Sequence, residues 1–236
     1  MLKRAVVLAG GKGTRLKPYT ITLPKPLVPV GDDMPVLEII IRQLKSNGFG
    51  HITLAVNHMS EIIKAFFGDG SRWDIKIDYT EESQPLGTMG PLQNIKDLPE
   101  NFLVMNGDII TDLDYSSFFE EHVKNRSIFT ISSFERDEQV DYGVLSSKNG
   151  LLNKLREKPL VKYEVSMGVY MLSREVLEYI PNEEEFGFDQ LMYALLDDKK
   201  QVHVKKHSKY WLDIGRPSDY QIAINDYDSQ IKKYLF

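Results

Sequence analysis

The sequence predicts an α/β fold in which a mostly parallel mixed sheet is flanked by helices and completed by a hairpin-rich portion. Three observations carry that expectation. The first half alternates strand, helix, strand, helix, strand, an order that implies right-handed crossovers and a parallel sheet. The opening run, Ala5-Val6-Val7-Leu8-Ala9, is apolar throughout and ends on glycines, as suits a strand buried on both faces. Beyond about residue 140 short extended segments surround an Asn149-Gly150 turn, which is hairpin chemistry. With 236 residues and 42% hydrophobic content the chain can bury a sizeable core, and a single domain over 1–236 is expected.

The first strand feeds Gly10-Gly11-Lys12-Gly13-Thr14-Arg15 and then Leu23-Pro24-Lys25-Pro26. Ligands of open α/β sheets bind at the carboxyl ends of strands, and a backbone without Cβ atoms lets N–H groups converge on phosphate oxygens. Arg15 and Lys25 add positive charge, so the loop is expected to hold a polyphosphate. It is not a Walker A loop, because no Gly-Lys-Ser/Thr follows, and Leu16 replaces the third glycine of the dinucleotide fingerprint, which removes a dinucleotide oxidoreductase.

Pro35 opens a helix carrying Val36, Leu37, Ile40, Ile41 and Leu44, which Asn47-Gly48 stops. Ile52, Leu54 and Val56 form a strand, Ser60 is the expected cap of a helix ending at Gly68, and Ile75, Ile77 and Tyr79 form a third strand. The loop Glu81-Glu82-Ser83-Gln84-Pro85-Leu86-Gly87-Thr88-Met89-Gly90 then brings backbone and polar groups to the ligand edge, with a short helix expected from Thr88. Gly87 and Thr88 offer amides, and Glu81, Glu82 or Gln84 offers an acceptor for donors on a base. A fourth strand, Phe102 to Met105, runs into Asn106-Gly107-Asp108; a carboxylate there suits Mg²⁺, which takes one or two carboxylates plus phosphate oxygens. Asp112 and Asp114 are assigned to structure. A helix over 115–125, a strand over 127–134, the hairpin of Tyr142 to Arg156, Glu157-Lys158-Pro159, and a strand from Val165 to Met171 follow. Helices about 174–180 and 188–196, and a strand near Val202, lead to Tyr210-Trp211-Leu212-Asp213-Ile214-Gly215-Arg216-Pro217, where Pro217 opens a closing helix.

Composition excludes several classes. Twenty-nine basic against 34 acidic residues give a net charge of -5 without a basic run, so neither nucleic acid nor an anionic membrane is an expected partner. The absence of cysteine removes disulfides and thiolate metal sites and suits the cytoplasm. The apolar segment at the amino terminus ends at Gly10, too short for a secretion signal or a membrane span. His51, His58, His122, His203 and His207 show no catalytic or ligand spacing.

Residues 10–26 resemble the G-G-x-G-T-R-L-x-P-x-T signature and following P-K-P of sugar-1-phosphate nucleotidyltransferases. Pro85 to Leu92 is similar to the P-L-G-T-A-G-P-L segment of mannose-1-phosphate guanylyltransferases, with Met89 in place of alanine; Tyr142-Gly143-Val144, Glu157-Lys158-Pro159 and Trp211 to Gly215 are similar to further family segments, and Ser166-Met167 stands where Asn-Ala is common. The resemblance implies a Rossmann-like nucleotide-diphospho-sugar transferase fold. A nucleotide-binding half over roughly 1–110 would be followed by a sugar-phosphate half over roughly 111–236. The reaction implied joins a nucleoside triphosphate and a sugar 1-phosphate into a nucleotide sugar, releasing pyrophosphate, with GTP favoured and mannose, a heptose or an amino sugar as the sugar. Uridylyl, thymidylyl and cytidylyl transfer are the alternatives, and a non-catalytic nucleotide-sugar sensor is a further one. By the same resemblance Leu8, Gly10, Gly11, Gly13, Thr14, Gln84, Gly87 and Thr88 bind the nucleotide. Arg15 and Lys25 act on the phosphates, Asp108, Gly143, Glu157, Lys158 and Ser166 bind the sugar phosphate, and Asp108 with Asp213 holds Mg²⁺. About twenty residues follow Asp213, so the expected unit is a catalytic domain without a carboxyl-terminal β-helix; pairing with a second copy of the chain is left open.

Overall fold

The computed structural model describes residues 3–31, 34–82 and 84–234; Ser83 of the loop at 81–90 lies outside them. Strand β1 (Lys3–Leu8) leads through 3-10 turns at Thr14–Leu16 and Lys25–Leu27 to a small antiparallel pair, β2 (Pro29–Val30) and β3 (Met34–Pro35). Then come α1 (Val36–Ser46), β4 (Phe49–Val56), α2 (Ser60–Phe67), β5 (Lys76–Glu81), β6 (Asn101–Asn106), β7 (Ile109–Thr111) and α3 (Tyr115–Asn125). The remainder holds β8 (Phe129–Gln139), the hairpin of β9 (Val144–Lys148) and β10 (Leu151–Arg156), and the long β11 (Leu160–Ser173). It closes with α4 (Phe188–Asp197), β12 (Val202–His207), β13 (Trp211–Asp213) and α5 (Pro217–Asp226).

Seven strands form one sheet in the order β12-β8-β11-β6-β1-β4-β5. Every pairing in it is parallel except the two made by β11, which lies antiparallel between β6 and β8. The expected mostly parallel mixed sheet is therefore present, and its reversal is confined to one strand. Alternate residues of a strand point to opposite faces. Ala5, Val7, Leu103, Met105, Val169 and Met171 accordingly enter one core with side chains of α1, α2, α3 and α5. Val6, Phe102, Val104, Tyr170 and Leu172 enter a second core with Leu92 and with Leu191 and Leu195 of α4. Burial on both faces is why these strands read as continuous apolar runs.

Three local expectations are corrected. The helix expected from Thr88 is a 3-10 turn over Gly90–Asn94, and that expected over 174–180 is a 3-10 turn over Arg174–Tyr179. Segments this short between fixed ends cannot recover the nucleation cost of an α-helix by propagation. Ser60 does not cap α2; it is the first helical residue, preceded by Met59 in the left-handed region (φ 57°). Pro217 opens α5 as expected, and Asp114 caps α3 by accepting the Ser117 N–H at 2.8 Å.

Candidate active site

Parallel pairing brings the carboxyl ends of β1, β4, β5 and β6 to one edge, with Leu8 in register with both Ala55 and Asn106, and Val56 with Glu81. The loops leaving those ends build the site. The first is anchored by Leu16, which is fully buried, while Arg15 beside it stays exposed. Gly13 adopts φ 60°, where a Cβ would lie 2.9 Å from Thr20 Cγ2, and the Thr20 hydroxyl braces the turn by donating to the Gly13 carbonyl at 2.7 Å. Gly11 has nothing within 4 Å of an added Cβ, so its backbone faces open space. Pro24 and Pro26 flank Lys25 on its own 3-10 turn, and Leu27 and Val28 bury the end of that turn.

Gly11 to Arg15, Lys25, Asp108 and Gly215 line a cavity of about 280 Å³. Inside it the Lys25 ammonium is ion-paired with Asp108 Oδ2, both side chains being largely buried. Asp108 Oδ1 is buried and has no hydrogen-bond partner among the described residues. Asp213 reaches the same place because β13 pairs antiparallel with β7, setting Asp213 opposite Ile109, and the Ile214 N–H donates to the Asp108 carbonyl at 3.0 Å. Burial raises the Asp213 carboxyl above its ordinary value, and repulsion from Asp108 raises it further against the pull of Lys25. Asp112, immediately after β7, fastens this strand pair: its carboxylate accepts the Tyr210 N–H at 2.8 Å and meets His207 Nε2 at 2.7 Å.

No group of three or more metal-ligating side chains forms among the described residues. Two carboxylates are nevertheless enough for a cation that completes its shell with phosphate oxygens and water. An unsatisfied buried carboxylate oxygen beside a second, repelling carboxylate is the environment such a cation would relieve.

A second cavity of about 410 Å³ shares Leu8, Gly11, Lys12 and Asp108 with the first and extends past Gly10 to Glu82, Gly87 and Thr88. The loop bearing Gly87 and Thr88 is held by the segment at 186–188. Met89 and Gly90 donate N–H groups to the Phe186 carbonyl at 2.9 and 3.1 Å, and Thr88 Oγ1 accepts from the Phe188 N–H at 2.9 Å. Gly87 (φ 75°) approaches Phe186 so closely that a Cβ would stand 2.7 Å from its carbonyl oxygen. Of the three acceptors offered by the sequence, Glu82 lines this cavity. It is half-buried, which raises its carboxyl above the usual range, and its Oε2 accepts the Leu86 N–H at 2.9 Å. Glu81 is instead paired with Lys64 at 2.7 Å, and Gln84 is exposed with its amide donating to the Glu183 carbonyl at 3.0 Å. Asn57, Asn106 and Glu185 also line the cavity and were not anticipated. Asn57 follows the end of β4, so the strand-end rule was the signal that would have found it.

The residues expected around the sugar phosphate lie on or beside the hairpin. A Cβ on Gly143 would meet Glu157 Oε2 at 2.9 Å, and the Lys158 N–H donates to the Tyr142 carbonyl at 3.3 Å. Glu157 and Lys158 are exposed and make no side-chain hydrogen bond or ion pair with Arg15, Lys25, Asp108 or Asp213. Ser166 sits on β11 with its hydroxyl on Tyr170 at 3.1 Å and lines a different groove, bounded by Phe188 and Met192.

Residues 4–230 match the family model described as Nucleotidyl transferase. The chain is 32% identical over 242 residues to the UTP–glucose-1-phosphate uridylyltransferase of Synechocystis, covering 94% of this chain and 62% of that protein. It is 32% identical over 241 residues to the mannose-1-phosphate guanyltransferase of Schizosaccharomyces pombe, covering 98% and 66%. The chain thus spans less than two thirds of the length of these curated relatives. Among solved structures, HddC from Yersinia pseudotuberculosis complexed with GMP-PN superposes with a TM-score of 0.72 at 29% identity, covering 96% of this chain and all of that one. A glycine-lined cavity with Arg15 and Lys25 at the strand ends, a second cavity adjoining it, and a family match over nearly the whole length converge: the chain belongs to the nucleotidyl transferase family.

Proposed function

We propose that this protein joins a nucleoside triphosphate to a sugar 1-phosphate, releasing pyrophosphate, with GTP as the preferred nucleotide. The observation that carries the reading is the continuity of the two cavities, which share Leu8, Gly11, Lys12 and Asp108: the base sits beside Glu82 and Gly87, and the triphosphate lies along Gly11 to Arg15. Glu82 supports guanine, because a carboxylate accepts from N–H donors and guanine presents an exocyclic amine. The guanyltransferase and GMP-PN likenesses point the same way. The Synechocystis relative supports uridylyl transfer as the second reading.

The attacking group needs no general base, since a phosphate monoester with a second pKa of about 6 is already largely dianionic at neutral pH. The protein's task is to bring two anions together and to stabilise charge on the departing one. Arg15 meets the leaving phosphates and the loop amides orient them. Lys25 serves the sugar phosphate from the floor of the cleft, with Lys158, Glu157, Gly143 and Ser166 on the sugar side. Mg²⁺ held by Asp108 and Asp213 would neutralise phosphate charge. We place the nucleotide in the half up to about residue 110 and the sugar phosphate in the remainder, and assign a cytoplasmic location. No helix among the described residues is long and apolar enough to cross a membrane.

A matrix of GTP, UTP, dTTP and CTP against a panel of sugar 1-phosphates, read by pyrophosphate release, tests the reading. Highest kcat/KM with GTP is expected, and Asp108→Ala and Asp213→Ala should each lower turnover by about a hundredfold or more. No release from any pair overturns catalysis; a clear preference for UTP overturns the base assignment alone.

A further inference from the structure

Beyond Arg15 and Gly215 the phosphate cavity opens into a third, of about 290 Å³, lined by Arg15, Arg136, Arg216, Trp211, Asp213 and Asp219 among others. Three guanidinium groups from three separate elements face this space. Among the described residues none of the three is engaged in a side-chain hydrogen bond or an ion pair, whereas Arg4, Arg42 and Arg174 each pair with a carboxylate. Arg136 is placed by stacking: its guanidinium carbon lies 5.6 Å from the Trp211 ring centroid. Trp211 is itself fixed by Phe134, with centroids 5.4 Å apart, and by its indole N–H, which donates to the Met167 carbonyl at 3.0 Å. Stacking occupies the face of the guanidinium and leaves its N–H edge free. Arg216 stands at the start of α5, where Asp219 is already spent on the N–H groups of Gly215 and Arg216 at 3.2 and 2.8 Å. The cavity therefore presents three guanidinium groups free of hydrogen-bonded or ion-paired partners, against one carboxylate, Asp213, that is not spent on backbone N–H groups and whose negative charge Arg15 already favours.

Resting on the proposed reaction, we infer that this cavity is a receiving site for the departing pyrophosphate, with Arg136 and Arg216 as binding residues that the phosphate loop does not supply. Arg15 lines both cavities, so one guanidinium can stay on the anion as it moves from the loop to the second pair of arginines. Two linked phosphoryl groups suit a set of forked donors, because each guanidinium can take two oxygens at once. The alternative occupant is the phosphate of the sugar substrate, and the two differ in which kinetic constant depends on the arginines.

The test uses the full chain with Arg136→Gln and Arg216→Gln combined, and the matching Lys pair as a charge-retaining control. Both are checked by thermal unfolding. Inorganic pyrophosphate titrated by calorimetry should bind the Gln pair at least about tenfold more weakly than the wild type, with the Lys pair in between. In the reverse reaction the KM for pyrophosphate should rise by a similar factor, while that for the nucleotide sugar moves less than about twofold. Equal pyrophosphate affinity in wild type and the Gln pair overturns the proposal, as does a rise confined to the KM for sugar 1-phosphate. The calorimetric arm needs no turnover, so a wild-type protein inactive in the nucleotide matrix would remove the proposed reaction without deciding the anion site, which binding then decides.

Discussion

At the scale of single residues the loop separates two uses of glycine. Gly13 is required by the fold, since its φ of 60° and a Cβ contact of 2.9 Å with Thr20 leave no room for a side chain. Gly13→Ala should cost about 1–2 kcal/mol, read from denaturant midpoints. Gly11 is not required by the fold: nothing of the protein stands within 4 Å of an added Cβ, so Gly11→Ala should leave stability within about 0.5 kcal/mol while, under the proposed reaction, raising the KM for the nucleotide. A fold-sized loss from Gly11→Ala would reverse that assignment. Arg15→Ala should lower kcat/KM by about a hundredfold with little change in melting temperature, because its side chain is exposed and makes no hydrogen bond or ion pair among the described residues. The motif residues were legible in the sequence because their chemistry is local. Glu82 against Gln84 was not, since choosing between neighbours in a loop depends on where the Phe186 segment pins the chain.

At the scale of elements the meeting of Asp108 and Asp213 depends on a short strand pair. Asp213 reaches Asp108 only because β13 lies against β7, and that pairing is held by Asp112 on Tyr210 and His207. Asp112→Ala should destabilise the protein by about 1–3 kcal/mol, the cost of leaving buried donors unsatisfied. It should also weaken the dependence of turnover on Mg²⁺, which would appear as a raised half-saturating concentration. An unchanged Mg²⁺ profile in a folded variant would show that Asp213 holds its place without this staple. Pro217 foretold α5, and apolar spacing foretold most strands and α1 because burial is written along the chain. Pairings between residues a hundred apart are not, and the 3-10 turns at 90–94 and 174–179 escaped because helical periodicity over so few residues does not distinguish the two helices.

At the scale of the molecule, both sheet faces are closed by helices and one buried histidine is held neutral there. His122 is fully buried with Nδ1 on Thr130 Oγ1 at 2.8 Å, and burial lowers its imidazole to about 4. The unfolded chain binds the proton more readily, so stability is lost as pH falls from about 6.5 toward 4, on the order of 3 kcal/mol for this group. His51, lowered mainly by burial, adds to the same window. Denaturation midpoints followed between pH 7 and 4 should show that loss, and His122→Asn should flatten it; an identical slope in the variant would assign the loss elsewhere. Parallel pairing in the first half and a mixed sheet overall were legible in the sequence, whereas the strand order and the identity of the reversed strand were not, because a buried antiparallel strand reads like its neighbours. That strand, β11, also ties the hairpin to the loop bearing Asp108. Its outer half carries the exposed hairpin lobe, its inner half is locked between β6 and β8, and the register breaks between Ser166 and Tyr170. At the break Gly168 (φ 74°) lies against Asn106, where a Cβ would stand 2.6 Å from the amide nitrogen, and Asn106 is two residues before Asp108. The strand that leads out of the hairpin therefore meets the stem of the loop bearing Asp108 at a glycine, where a side chain would have no room.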